Sequence, residues 1–249
     1  MPLMPGAEPY SAEGDHLGVL VLHGFAGTPA VVRAWAQHVA AAGHTVSAPR
    51  LPGHGTRWQD LNATTWEDWV GEAQRCLDRL RGRTDTRVVM GLGAGATIGL
   101  RLAETHRDVD GIVAVNPVVH SERRERALLP YVQGFIGSAP WRSHDVKRPD
   151  VADVGYDRLP LRAMHSLTRL WTLVKSDIHR VTAPLLVFRS ADDHVVEPSN
   201  TTWLLANVRS SRVEEVLLED SYHLATVDND APAIFEASTR FAQSLGEAA

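Results

Sequence analysis

Hydrophobic positions along the chain follow two alternating rhythms. Short unbroken apolar runs, as in HLGVLVLHGF (16–25) and VDGIVAVNPVV (109–119), alternate with longer segments whose apolar residues recur every third or fourth position. The runs are too short to be helices and predict strands covered on both faces; the longer segments predict helices with one buried side. Thr28-Pro29 ahead of AVVRAWAQHVAAAG predicts a helix start, and Gly43 its end. HTVSAPRLPGHG (44–55) predicts a second strand running into a loop. In WEDWVGEAQRCLDRLRGR (66–83), Trp66, Trp69, Val70, Ala73, Leu77 and Leu80 share one helical face. VVMGLGAGATIGLRLAE (88–104) predicts a strand, a sharp glycine-rich turn and a helix.

The rhythm lapses between residues 120 and 180, where Tyr131, Phe135, Trp141, Tyr156 and Trp171 are scattered among prolines and basic residues, with one helix in LRAMHSLTRLWTLVKSDI. It resumes at Pro184: PLLVFRSADDHVV predicts strand and loop, SNTTWLLANV a helix, VEEVLLEDSYH strand and loop, and APAIFEASTRFAQSL the last helix. Such alternation predicts an α/β fold, a mostly parallel central sheet with helices on both faces, interrupted by an insertion over one end. In parallel sheets ligands bind beyond the carboxyl ends of the strands. The loops there carry His23-Gly24-Phe25, Pro52-Gly53-His54-Gly55, Gly91 to Gly95, Asn116-Pro117, Asp192-Asp193 and His223.

Composition narrows the class. A chain of 249 residues, 44% hydrophobic and 22% charged, can bury one sizeable core. Its net charge of −5 offers no basic footprint for a nucleic acid or an anionic membrane. Cys76 is the single cysteine, so an intramolecular disulfide and a multi-cysteine metal site are excluded. MPLMPGAEPYSAEGDHLG at the start lacks the basic and apolar regions of a signal peptide, and no apolar run reaches the roughly 18 residues of a membrane span. A soluble cytoplasmic protein without integral membrane association is expected. Its pattern specifies no oligomeric state.

Taken in order, LHGF, PGHG, the glycine turn, an acid loop and a late histidine resemble the α/β-hydrolase superfamily, in particular its small bacterial carboxylesterases and monoacylglycerol lipases. The likeness extends from about His16 to Leu245. Members order their chemistry as nucleophile, acid, histidine, and position 93, Asp193 and His223 follow that order. The resemblance implies that Asp193, with Asp192 as the alternative, orients His223, the general base. It also implies an oxyanion hole from the backbone N–H groups of Phe25 and Ala94, where losing one donor typically costs roughly 100- to 1,000-fold in rate.

The nucleophile is the departure. Members carry G-x-S-x-G, whereas this chain has Gly91-Leu92-Gly93-Ala94-Gly95. Glycine relieves the strain of such a turn, of order 1–3 kcal/mol for a residue with a Cβ, but a covalent serine mechanism is not possible with Gly93. Thr97, one helical turn on, and Ser221, two residues before the histidine, are not convincing substitutes. A dinucleotide fingerprint fits poorly: Ala96 and Ile98 stand where the third glycine belongs, and Asn116-Pro117 replaces the acidic strand end. Three readings follow: an ester hydrolase deprived of its serine, a natural serine-independent lyase, cyclase or isomerase using the His223–Asp193 pair, or a ligand-binding protein without turnover.

The remaining expectations concern the pocket. Residues 118–180 are expected to form a cap on a core of 16–117 and 181–249, with 1–15 as an N-terminal segment. His23, Gly24, His54, Asn116, Trp141 and Trp171 are candidate pocket residues, His54 as part of a bordering turn. The cap's aromatic residues suggest a small apolar ester or acyl-type ligand while also building the cap's own core. SERRERALL and RSHDVKRPD read as solvated faces of the cap; the alternative is that they meet a carboxylate or phosphate on the substrate. His44, His106, His120, His144, His165, His179 and His194 show no HxxH or HExxH spacing, so no metal and no cofactor is expected.

Overall fold

The computed structural model describes residues 2–141, 144–151 and 155–247. Arg142 and Ser143 of the basic stretch, Met1, residues 152–154 and residues 248–249 lie outside the described residues. The chain runs β1 (Tyr10–Ala12), β2 (Leu17–Leu22), α1 (Ala30–Ala41), β3 (Thr45–Ala48), α2 (Trp58–Leu61), α3 (Trp66–Arg81), β4 (Thr86–Leu92), α4 (Ala94–Thr105) and β5 (Gly111–Val115). It continues through α5 (Leu129–Val132), β6 (Ser138–Pro140), β7 (Arg158–Pro160), α6 (Leu161–Asp177), β8 (Leu185–Ser190), α7 (Ser199–Asn207), β9 (Val213–Leu218) and α8 (Ala231–Gly246).

A seven-stranded sheet has the order β1-β3-β2-β4-β5-β8-β9, parallel except for β1, which pairs antiparallel with β3. This is the mostly parallel sheet expected from the alternating rhythm. Its inner strands send successive residues to opposite layers: Leu20, Leu22, Val89, Ile112 and Ala114 join one buried cluster, and Val19, Val21, Met90, Val113 and Val115 the other. α3, α4 and α6 supply the first layer through residues such as Trp69, Leu77, Leu100 and Leu167; α1 and α8 supply the second through Trp35, Val39, Ile234 and Phe241. Complete burial of each large side chain contributes about 1.5–3 kcal/mol.

Local chemistry sets the element ends. At α3, Asp68 accepts the Thr65 amide hydrogen at 2.8 Å, a reciprocal cap that holds the first turn. At α1, Pro29 rather than Thr28 is the residue that precedes the helix; Thr28 Oγ1 still accepts the Ala30 N–H at 3.2 Å. Several short features, the four-residue helices α2 and α5 among them, lie outside the sequence expectations. β1, inside the N-terminal segment, pairs Tyr10 with Ala48, and β6 and β7 form a two-stranded ribbon, with Ala139 opposite Leu159. Three residues are too few to produce a period of two. Among the described residues, no helix is long and apolar enough to cross a membrane.

Candidate active site

The loops after β2, β4, β8 and β9 bring a glycine turn, a carboxylate and an imidazole together. β4 ends at Leu92 and α4 begins at Ala94, leaving Gly93 to turn the chain at φ +55° and ψ −116°. Gly91 faces the α4 layer, and a side chain there would run into the backbone of Gly95 and Ala96; one on Gly95 would run into the carbonyls of Leu22 and His23. These absences of Cβ seat the helix N-terminus directly on the ends of β2 and β4. At Gly93 the neighbour is different: a Cβ would stand 3.1 Å from Nε2 and 3.4 Å from Cε1 of His223.

His223 Nδ1 donates to Asp193 Oδ2 at 2.9 Å, and the side chains are 12% and 5% exposed. Asp193 Oδ1 accepts the amide hydrogens of Val195 and Val196, each at 2.8 Å, whereas Asp192 is exposed. Burial alone would push the Asp193 carboxyl up, but the facing His223 and the two amides outweigh it and hold the group below its ordinary value. For His223, burial works downward, yet the charge and hydrogen bond of Asp193, aided by the charge of Asp145, raise the imidazole above 6.5. The outcome is a buried, oriented imidazole whose Nε2 faces the turn at residue 93.

Two backbone donors border the same space. The Ala94 amide opens α4, and the Phe25 amide lies in the turn after β2; neither donates to an acceptor among the described residues. Phe25, Ala94, Trp141, Trp171 and His223 line one narrow cavity of about 50 Å³. A second, of about 40 Å³, shares Phe25, Trp141 and His223 and adds Gly24. Tyr131 and Phe135 instead point to solvent, at 76% and 93% exposure, so of the aromatic residues of the 120–180 stretch these two lie at the surface while Trp141 and Trp171 reach the cavity. Tyr156 reaches neither: its hydroxyl donates to Gly53 O at 3.0 Å and fastens the PGHG loop.

Three of the candidate pocket residues sit behind these walls. His23 is fully buried; its Nε2 accepts the Leu51 N–H at 3.1 Å, which leaves Nδ1 to donate to Gly24 O at 3.0 Å. That neutral cross-link ties the loop after β2 to the loop after β3, and burial drives its pKa to about 4. His54 packs edge-on against His23, Phe25 and Trp69, its pKa likewise pushed well down by burial. Asn116, at φ +46°, donates to Ser190 Oγ and to His223 O, both at 2.9 Å, and accepts the Ser190 N–H at 2.8 Å. Its amide therefore fixes the histidine loop to the ends of β5 and β8.

Other groups escaped the sequence reading. Asp145, inside the basic RSHDVKRPD stretch, accepts the His223 N–H at 3.0 Å and the His194 N–H at 3.2 Å. Asp228, with no exposed surface, accepts the amides of Lys147, Arg148, Tyr222 and Asn229 at 2.7–2.9 Å. Together they stitch the 145–148 segment onto the loop that carries His223. Acids within a polar loop give no sequence signal of such a role. Arg126 also departs from the solvated-face reading: while Arg123, Arg124 and Glu125 are exposed, Arg126 is partly buried and lines the cavity beside Trp171. Thr97 is buried with its hydroxyl turned to Val118 O, and Ser221 Oγ accepts the Asp230 N–H. Among the described residues no group of three His, Cys, Asp or Glu side chains is arranged to hold a metal ion.

Known proteins share this architecture. The Hydrolase_4 family model, described as serine aminopeptidase, S33, matches residues 16–230. A thermostable monoacylglycerol lipase of Bacillus sp. (strain H-257) is 40% identical over 245 residues, 96% of each chain. A carboxylesterase of Bacillus subtilis (strain 168) is 23% identical over 245 residues, 96% of this chain and 97% of the other. A solved structure from the metagenome-derived lipolytic enzymes LipS and LipT superposes with a TM-score of 0.94 at 33% identity, covering 98% of this chain and 100% of that one. The monoacylglycerol lipase of Paleococcus ferrophilus follows the same fold with a TM-score of 0.79 at 19% identity, over 96% and 99% of the two chains. With its parallel sheet, glycine turn and lipolytic relatives, the chain belongs to the Hydrolase_4 family of α/β-hydrolases.

Proposed function

We propose that the chain is an ester hydrolase scaffold of the monoacylglycerol lipase and carboxylesterase type in which Gly93 stands at the nucleophile position. The observation that carries this reading is the approach of His223 Nε2 to the place where a Cβ on residue 93 would be, 3.1 Å away, with Asp193 on the opposite nitrogen. A serine at 93 would bring its hydroxyl to the base that must deprotonate it, and the Phe25 and Ala94 amides would face the developing oxyanion. Residues 118–180 act as the cap in this reading, and the apolar walls supplied by Val118, Met164, Leu167 and Trp171 suit an acyl chain. The substrate class is a small apolar ester.

With glycine at 93 no acyl-enzyme can form. What remains is a base and two oxyanion donors able to activate water or hold an enolate; such remnants in serine hydrolases give roughly 1,000- to 10,000-fold over water. The test is hydrolysis of a short-chain p-nitrophenyl ester by the chain and by Gly93→Ser, with labelling by a serine-directed phosphonate. Rapid turnover and labelling by Gly93→Ser are expected. A folded Gly93→Ser protein that neither turns over nor labels would overturn the ester hydrolase reading and favour proton transfer by His223 or binding without turnover.

A further inference from the structure

Arg126 is a cation in a cavity wall that is otherwise largely apolar. It lines the space shared by Phe25, Ala94 and His223, its guanidinium 5.6 Å from the centre of the Trp171 ring. Its side chain makes no hydrogen bond and no ion pair among the described residues; the nearby carboxylate Glu197 lies 4.0 Å from Arg123 instead. Trp171 repeats the pattern. The residue is 6% exposed, and its Nε1–H is buried without an acceptor among the described residues. A donor taken out of water and left unpaired loses hydration without a return, and for the partly buried guanidinium stacking on an indole returns only part of it.

The partly buried guanidinium and the indole N–H are thus neighbouring donors in the wall of the cavity that His223 faces. On the far side of Arg126 and Trp171 lies a groove of about 400 Å³ that also carries Arg123, Arg124 and Lys175, against the single acid Glu122. Arg126 belongs to both the cavity wall and this groove. Burial acts to lower the Arg126 pKa and Arg123 adds to the effect, while Glu197 and Glu125 oppose it through space.

Resting on the ester hydrolase reading, we propose that Arg126 is a specificity-determining residue for an ester bearing an oxyanion, a carboxylate or a phosphate, with Trp171 Nε1–H as an auxiliary donor. Five N–H groups on a planar guanidinium suit either anion. The carboxylate would lie on the acyl part and the phosphate on the alcohol part of the ester.

The test is calorimetric binding to the chain as it stands, in which Gly93 prevents acyl-enzyme formation. One probe pair is monohexyl glutarate and its neutral methyl ester; the other is a monoacylglycerol phosphate and the matching monoacylglycerol. The anionic member of at least one pair should bind roughly 10- to 100-fold more tightly, and the pair that shows the preference identifies the source of the anion. Arg126→Gln should remove the preference, weakening the anionic member of the pair more than the neutral one. Trp171→Phe, which keeps the ring and deletes the N–H, should weaken the anionic probe by roughly 2- to 10-fold; it also serves if Arg126→Gln does not fold. Equal binding within both pairs, or a preference that survives Arg126→Gln, overturns the proposal. Ester hydrolysis by Gly93→Ser reports separately on the underlying reading: activity there with no anionic preference refutes only the role of Arg126.

Discussion

Replacing Asp228 by asparagine probes the join between the 145–148 segment and the histidine loop. The native carboxylate is fully buried; Oδ2 accepts from Lys147 and Tyr222, and Oδ1 from Arg148 and Asn229. Asparagine has one carbonyl oxygen, so in either orientation its NH₂ confronts two of these four amides. A hydrogen bond to a charged group contributes about 1.5–3 kcal/mol, which puts the loss at about 3–6 kcal/mol. That is a large share of the roughly 5–15 kcal/mol by which folded domains are stable. With a shift of about 2–4 °C per kcal/mol for a chain of this size, the melting temperature should fall by roughly 6–24 °C. Thermal unfolding followed by circular dichroism measures the shift, and hydrogen exchange should show the Lys147 and Tyr222 amides losing protection first. A variant that melts within about 3 °C of the parent, with both amides equally protected, would refute the stitching role.

Three further outcomes are expected. Gly93→Ser should gain esterase turnover yet melt about 2–12 °C lower, because a Cβ at φ +55° costs about 1–3 kcal/mol and His223 must yield slightly to the new atom; unchanged or raised stability would argue against strain at this turn. In the same variant kcat should rise with pH through a midpoint above 6.5, since catalysis needs neutral His223 and Asp193 favours the charged form; adding Asp193→Asn should lower kcat by about 10,000-fold and move the midpoint down. Because His23 is buried neutral with a pKa of about 4, the unfolded chain takes up its proton first, so stability should decline as pH falls from 6.5 toward 4, by about 3 kcal/mol from this residue. Urea unfolding across that range should show a slope flatter by about one proton in His23→Asn, and an unaltered slope would contradict the assignment.

The long elements were legible because each carries many repeats of its own period. Trp66 to Leu80 fall on one side of α3, and alternating residues of β2 and β5 belong to the two buried clusters. The order of loops around the rim likewise follows from parallel topology. Pairings settled by distant partners were not legible. β1 exists because Tyr10 meets Ala48, and Asp145 matters because it meets amides of residues 194 and 223. Neither fact has a local signature. Arg126 differs from Arg123 and Arg124 in being partly buried against Trp171, a distinction that a run of charges conceals. His23 and Asn116 illustrate another limit, since both occupy rim loops and both serve as braces behind the cavity.

The three glycines of the turn after β4 are not equivalent, and their difference bears on how such a site changes over generations. Gly91 and Gly95 are closed by main-chain atoms that cannot retreat without unseating α4 from the sheet. Gly93 is opposed by one imidazole, which can move by tenths of an ångström. A lineage can therefore lose or regain a side chain at residue 93 in a single substitution, while the flanking positions stay frozen. Of the three positions, residue 93 is the one socket whose occupant can change while the seat of α4 on the sheet stays as it is.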